Sequence, residues 1–175
     1  MTVMLAEIHR AVVKKPEIDP TFIIEALCGA DYWAIPFRYS GIFPPNSCPP
    51  EVVKEVIDIL DMCDFLESSI QNLPEGEMRR LDEHFSYDFD KIFVGFDGNN
   101  EHWHMGVVRM LTGQLERFSR FKDRELNSHS PITLERYRRM FSVFAPLRLE
   151  SMGRRLSFQA LERILEAGYG RTVKG

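Results

Sequence analysis

Residues 95–104 read GFDGNNEHWH, placing two acids, two amides and two histidines within ten positions. Residues of these types serve metal ligation, anion binding or helix capping. A phosphate cradle bends consecutive backbone N–H groups around an anion ahead of a helix, usually through several glycines. Gly95 and Gly98 are compatible with that, but neither a Walker A motif nor a dinucleotide fingerprint is present, and Asp97 and Glu101 repel an anion. For a metal, His102 and His104 stand two apart, which on a helix turns them about 200° from each other. Glu101 and His104 do share a face as a Glu-x-x-His unit. The di-iron bundles built on that unit need a second one, and the chain has no other. No metal or cofactor is therefore assigned. Capping accounts for nearly every residue: Asn99 or Asn100 caps the helix that follows, Glu101 suits the positive end of its dipole, and Asp97-Gly98 makes the turn into it. The stretch reads as a structural joint. Asp97, Asn99, Asn100 and Glu101 are the candidate ligand-binding set if the joint also senses a small molecule.

A second cluster is RELNSHSP, residues 124–131. Arg124 and His129 have the Arg-x4-His spacing used by a superfamily of helical ribonucleases. In such a metal-independent ribonuclease the histidine would serve as general acid or base while the arginine stabilises phosphorane charge. The spacing is short and recurs by chance, and Asn127 and Ser128 are ordinary turn residues, so this reading stands second. Arg136, Arg138, Arg139, Arg154 and Arg155 form a basic group nearby. Glu135 and Arg139 are placed to pair at i,i+4. Tyr137 and Phe141 fall on the core stripe and are poorly placed to stack on bases. The group is assigned to an acidic region of another subunit in preference to nucleic acid. No Ser/His/Asp or Cys/His triad stands out, and a non-enzymatic role is favoured.

The elements that position these residues are helical. Residues 50–72 carry Val53, Val56, Leu60, Cys63, Leu66 and Ile70 at three- and four-residue steps, with Pro50 in the first turn. Glu51, Lys54, Glu55, Asp58, Asp61 and Glu67 make a solvated opposite face. Shorter helices are expected over 3–14, from Asp19-Pro20 to Gly29, and over 75–86. Residues 29–50 are rich in proline and aromatics and form the one irregular segment. Lys91–Phe96 (KIFVGF) alternates like a strand but has no partner strand, and reads as a buried extended segment. Further helices are expected over 100–121, with Trp103, Val107, Leu111, Leu115 and Phe118 on one side, and over 131–144 behind a Ser130-Pro131 start. The last spans 157–167, capped by Ser157, stapled by Leu156 and Leu161, and ended by Gly168 before a tail at 168–175. The fold class is all-α: a single domain over 1–175 with about six helices.

Composition narrows the setting. No apolar run approaches the ~20 residues of a membrane span, and Glu7 interrupts any signal-peptide core, which places the protein in the cytoplasm. Cys28, Cys48 and Cys63 are odd in number and widely spaced, so neither a disulfide framework nor a zinc site is expected. Net charge is −4, yet residues 1–100 carry −10 and residues 101–175 carry +6. Such a split suits one half of a subunit meeting the other half of its neighbour. A homo-oligomer is expected, with a protein partner as a further candidate; nucleic acid is not favoured.

Several motifs occur together in one order: VIDILDM at 56–62, VGFDGNNE at 94–101, GVVRML at 106–111, RFSRF at 117–121, LNSHSP at 126–131, ERYRRM at 135–140 and LSFQALERIL at 156–165. On these motifs the chain resembles the YfbU family of bacterial proteins, from the helix at residue 4 to Ala167. The resemblance implies an all-helical, cytoplasmic, oligomeric protein linked to bacterial stress and cell-death phenotypes. It implies no reaction.

Overall fold

The computed structural model describes residues 2–14, 16–32, 34–43, 48–85, 87, 89, 91–129, 131–151 and 155–170. These fall into two compact units, Met1–Ser47 and Cys48–Gly175. Among the described residues there are eight α-helices, one 3-10 turn and no strand, so the fold is all-α.

The first unit holds α1 (Thr2–Val12), α2 (Pro20–Cys28) and α3 (Ala34–Arg38). Asp19 caps α2 by accepting the Thr21 N–H at 3.0 Å, and that bond holds its carboxyl below the usual carboxylate range. The Asp19 N–H in turn donates to the Tyr39 hydroxyl at 2.8 Å, and the Arg38 guanidinium lies 4.4 Å from the Phe22 ring centre. Among its described residues the irregular segment thus contains the short helix α3. Pro36 is tolerated there because it sits in the first turn, where no N–H has an intrahelical partner.

The second unit is organised around α4 (Pro50–Gln71), which packs against α6 (His102–Thr112) and α7 (Leu134–Glu150). The expected stripe is buried apart from half-buried Val53, and Ile59, Met62 and Ser69 widen it. Glu51, Lys54 and Asp61 are exposed as expected. Glu67 is not: it is 1% exposed, because an extended segment crosses α4 at that turn. The expected helix over 75–86 is α5 (Glu75–His84), tied to α8 (Phe158–Tyr169) by His84 Nδ1 on Glu162 Oε1 and by Arg80 over the Phe158 ring.

Three helix boundaries differ from expectation. The helix expected over 100–121 ends at Thr112. Beyond Gly113 the chain turns through Glu116 and Phe118, both at positive φ, into the 3-10 turn Ser119–Phe121. Leu115 is consequently left 57% exposed. The helix expected over 131–144 starts three residues later, at Leu134, and continues through Pro146 to Glu150; Ser130 lies outside the described residues. The last helix begins behind Ser157, whose side chain accepts the Ala160 N–H at 3.3 Å, but it passes through Gly168 and ends at Tyr169 with Gly170 at φ +69°. Residues 171–175 of the expected tail lie outside the described residues.

Gly168 is needed for close approach of α8 to α7. A Cβ there would stand 2.6 Å from Met140 Sδ and 2.7 Å from its Cγ, and Met140 is fully buried. Gly168→Ala sets about 1 kcal/mol of helix propensity against about 1–3 kcal/mol of overpacking. A net loss of stability is expected in urea denaturation. An unchanged or raised midpoint would show that the α7–α8 contact is loose.

Candidate functional site

Val94, Gly95, Phe96 and Asp97 run through the unit outside any helix, and among the described residues no sheet lies beside them, so their backbone groups need other partners. Among the described residues one strand-like contact exists: Phe96 N–H donates to the Leu126 carbonyl and Ser128 N–H to the Phe96 carbonyl, each at 3.0 Å, an isolated parallel bridge. Gly95 permits it. Its φ is +89°, and a Cβ would lie 2.4 Å from the Leu126 oxygen.

The remaining partners are side chains from distant parts of the sequence. Glu67 Oε1 accepts the N–H groups of Ile92 (2.9 Å) and Phe93 (3.1 Å), while Arg124 forks onto both Glu67 oxygens at 2.8 and 2.6 Å. The Val94 N–H donates to the Tyr137 hydroxyl at 3.0 Å. Burial pushes the Tyr137 phenol well above its ordinary range, so it stays a neutral donor and acceptor. The Thr133 hydroxyl donates to the Gly95 carbonyl at 2.7 Å.

The acids of GFDGNNE serve the same joint. Glu101, 4% exposed, accepts Asp97 N–H on Oε2 and Leu134 N–H on Oε1, both at 2.7 Å. It thereby fastens the end of the extended segment to the first turn of α7. Asp97 accepts the Asn99 N–H at 3.1 Å and the Asn100 side-chain amide, which together hold its carboxyl below the usual range, Asn100 contributing most. Neither asparagine caps α6. The residue preceding the helix is Glu101, whose side chain makes no cap bond because it is engaged by the joint. Asn99 and Asn100 are exposed.

The His/Glu pair at 101 and 104 diverges. His104 Nε2 meets Glu55 Oε2 at 2.8 Å, and Glu55 also receives the Arg138 guanidinium at 2.7 Å. Arg138 holds the Glu55 carboxyl below its usual range, with His104 adding to the effect. Among the described residues no three His, Cys, Asp or Glu side chains converge on one point. Glu135 pairs with Arg138 rather than Arg139, which instead donates to the Ala167 carbonyl at the end of α8. Arg155 is exposed, and Arg154 lies outside the described residues.

Arg124 and His129 have different surroundings. Arg124 is half-buried on Glu67, whereas the His129 side chain is 70% exposed, at φ +53°, with Glu125 3.9 Å away. His129 N–H and Gly98 N–H share the Asn127 side-chain oxygen, which makes LNSHS part of the joint.

Beside the joint, α4 and α6 leave an apolar groove of about 330 Å³ lined by Val53, Trp103, Val107, Met110 and Leu115. It continues past Ile57 to Arg117 and Phe118. Sequence reasoning placed Trp103, Leu115 and Phe118 on the inner side of a longer helix. The early stop at Thr112 opens the groove instead.

A family model described as the YfbU domain matches residues 37–169. No solved structure matches the chain. Among the described residues, no helix is long and apolar enough to cross a membrane.

Two outcomes follow for the joint. Arg124→Met leaves the Glu67 carboxylate buried without its cation, and a loss of about 3–5 kcal/mol is expected in chemical denaturation. A loss under 1 kcal/mol would mean that the backbone amides suffice. For Asp97, a folded carboxyl held below its unfolded value contributes stability above about pH 4 that disappears as pH falls through the folded value. Asp97→Asn should therefore destabilise at pH 7 and flatten the acid limb of the stability curve below about pH 4. An acid limb identical to that of the parent protein would contradict this.

Proposed function

The chain belongs to the YfbU family, and from that starting point we propose that it is a binding protein rather than a catalyst, receiving an apolar helix of a protein partner in the α4–α6 groove. The observation that carries this reading is the open apolar row itself. Ile57, Met110 and Leu115 are 39%, 52% and 57% exposed along one groove, and contiguous exposed apolar surface marks interaction sites. Grooves of this kind take amphipathic helices through anchors spaced at i, i+3, i+4 and i+7. Trp103, half-buried in the wall, suits the anchor role that tryptophan often plays at interfaces. The left-handed backbone at Glu116 and Phe118 holds the far end of the groove in shape, and strained residues of this kind cluster at working surfaces.

The groups with catalytic potential support the same reading. Asp97, Glu101 and Arg124 direct their polar atoms at neighbours within the fold. An arginine that stabilises phosphorane charge needs donors turned toward substrate, and both terminal nitrogens of Arg124 are held by Glu67. We place the protein in the cytoplasm, where an exposed free thiol such as Cys28 stays reduced.

The test places a photo-crosslinking aromatic amino acid at Met110 of the full chain and irradiates the producing cells. One discrete protein adduct is expected. Leu115→Asp should abolish it while changing stability by no more than about 0.5 kcal/mol, as is usual for exposed positions. No adduct, or adducts indifferent to Leu115→Asp, would overturn the groove as the binding site. Metal-independent RNA cleavage by the purified protein, lost in a folded His129→Asn variant, would establish the ribonuclease reading in its place.

A further inference from the structure

A glycine in the middle of a helix needs a reason, because it weakens the helix relative to alanine. Gly168 has one in Met140, and Gly76 stands in the first turn of α5, outside the helix interior. Gly106 has no such reason. It is the fifth of the eleven residues of α6, it is exposed, and among the described residues a Cβ there would meet nothing within 4 Å. It also lines the α4–α6 groove, about one turn from Trp103 on one side and from Met110 on the other. A glycine with open space above it, in the wall of a groove, leaves room for another backbone to come close.

The far end of the groove carries a second feature that the fold itself does not use. Arg117 is the one charged residue among the described residues that line the groove. Its neighbours are matched, Arg120 by Asp64 and Lys122 by Glu116, whereas Arg117 makes no ion pair among the described residues. Its backbone is nevertheless fixed. The Arg117 N–H donates to the Leu111 carbonyl at 2.8 Å, and left-handed Glu116 and Phe118 stand on either side of it. The strained turn therefore holds an unpaired guanidinium at the end of an apolar row.

We propose that the groove selects an acidic amphipathic helix of a protein partner, which crosses α6 with its backbone against Gly106 and sets a carboxylate on Arg117. The proposal rests on the groove reading above and adds what the partner must carry. Packed helices stand about 8–10 Å apart according to the side chains at their contact, and a glycine permits the short end of that range. The closest approach also needs a small residue on the incoming helix. An Asp or Glu beyond its apolar row answers Arg117 with a forked, charge-assisted pair. Such a pair sets orientation and rejects wrong partners, while the apolar row supplies the contact area.

The test uses the full chain carrying the photo-crosslinking amino acid at Met110, one turn from Gly106, irradiated in the producing cells. Gly106→Ala is expected to raise the urea midpoint of the purified protein and yet cut the adduct yield about tenfold. Arg117→Glu should cut the yield about tenfold with the midpoint unchanged. Tandem mass spectrometry of the linked peptide should find Gly, Ala or Ser within its apolar row and Asp or Glu beyond the end of that row. A lowered midpoint in Gly106→Ala would show that this glycine serves the fold, and would overturn the proposal. So would a yield that either substitution leaves unchanged, or a linked peptide that lacks an acid or comes from a second copy of this chain. In those cases the groove reading stands as long as Leu115→Asp abolishes the adduct. No adduct with the Met110 probe alone removes both.

Discussion

The buried Glu67 carboxylate is the constraint from which the larger unit is built. Two backbone N–H groups of the segment crossing α4 have no strand to bond, and Glu67 accepts both while Arg124 balances its charge. A buried backbone donor without an acceptor is costly, and so is a buried carboxylate without donors. Each answers the need of the other. Glu101 repeats the solution immediately before α6, accepting from Asp97 and Leu134, and the Tyr137 hydroxyl serves Val94 between them. The extended segment is thus supported by side chains of helices where a sheet would use backbone.

This support explains why acidic residues near the joint need not imply chemistry. A carboxylate that accepts two N–H groups and a guanidinium has little capacity left for a substrate. The same logic moves attention to a surface that the fold leaves unsatisfied in the apolar sense: the α4–α6 groove. The carboxylates of the joint are matched, whereas several large apolar groups outside are not.

Much of the architecture was legible in the sequence. The α4 stripe, the helix start at Asp19-Pro20, the Ser157 cap and the buried character of KIFVGF all follow from periodicity, cap chemistry and alternation. What escaped has a common cause, namely contacts made across long sequence separations. Glu67 lies on the polar side of its helix pattern, and only the segment 25 residues later makes it a core residue. Gly168 looks like a helix terminator, but its absent side chain serves Met140 across a helix interface. The stop at Thr112 was missed because Leu115 and Phe118 keep a helical spacing, while Gly113 and two left-handed residues end the helix first. Asn99 and Asn100 were reasonable caps by type, yet Asp97 draws Asn100 into the turn.

Native-state hydrogen exchange tests the central claim most directly. If buried carboxylates stand in for a sheet, the amides of Ile92, Phe93, Asp97 and Leu134 should exchange only through global unfolding, as slowly as those in the middle of α4. In Glu67→Gln, whose neutral amide accepts more weakly and releases Arg124, the Ile92 and Phe93 amides should open by a local route while Asp97 and Leu134 stay protected. Fast exchange at Ile92 and Phe93 in the parent protein, or no local opening in Glu67→Gln, would show that packing alone holds the segment in place.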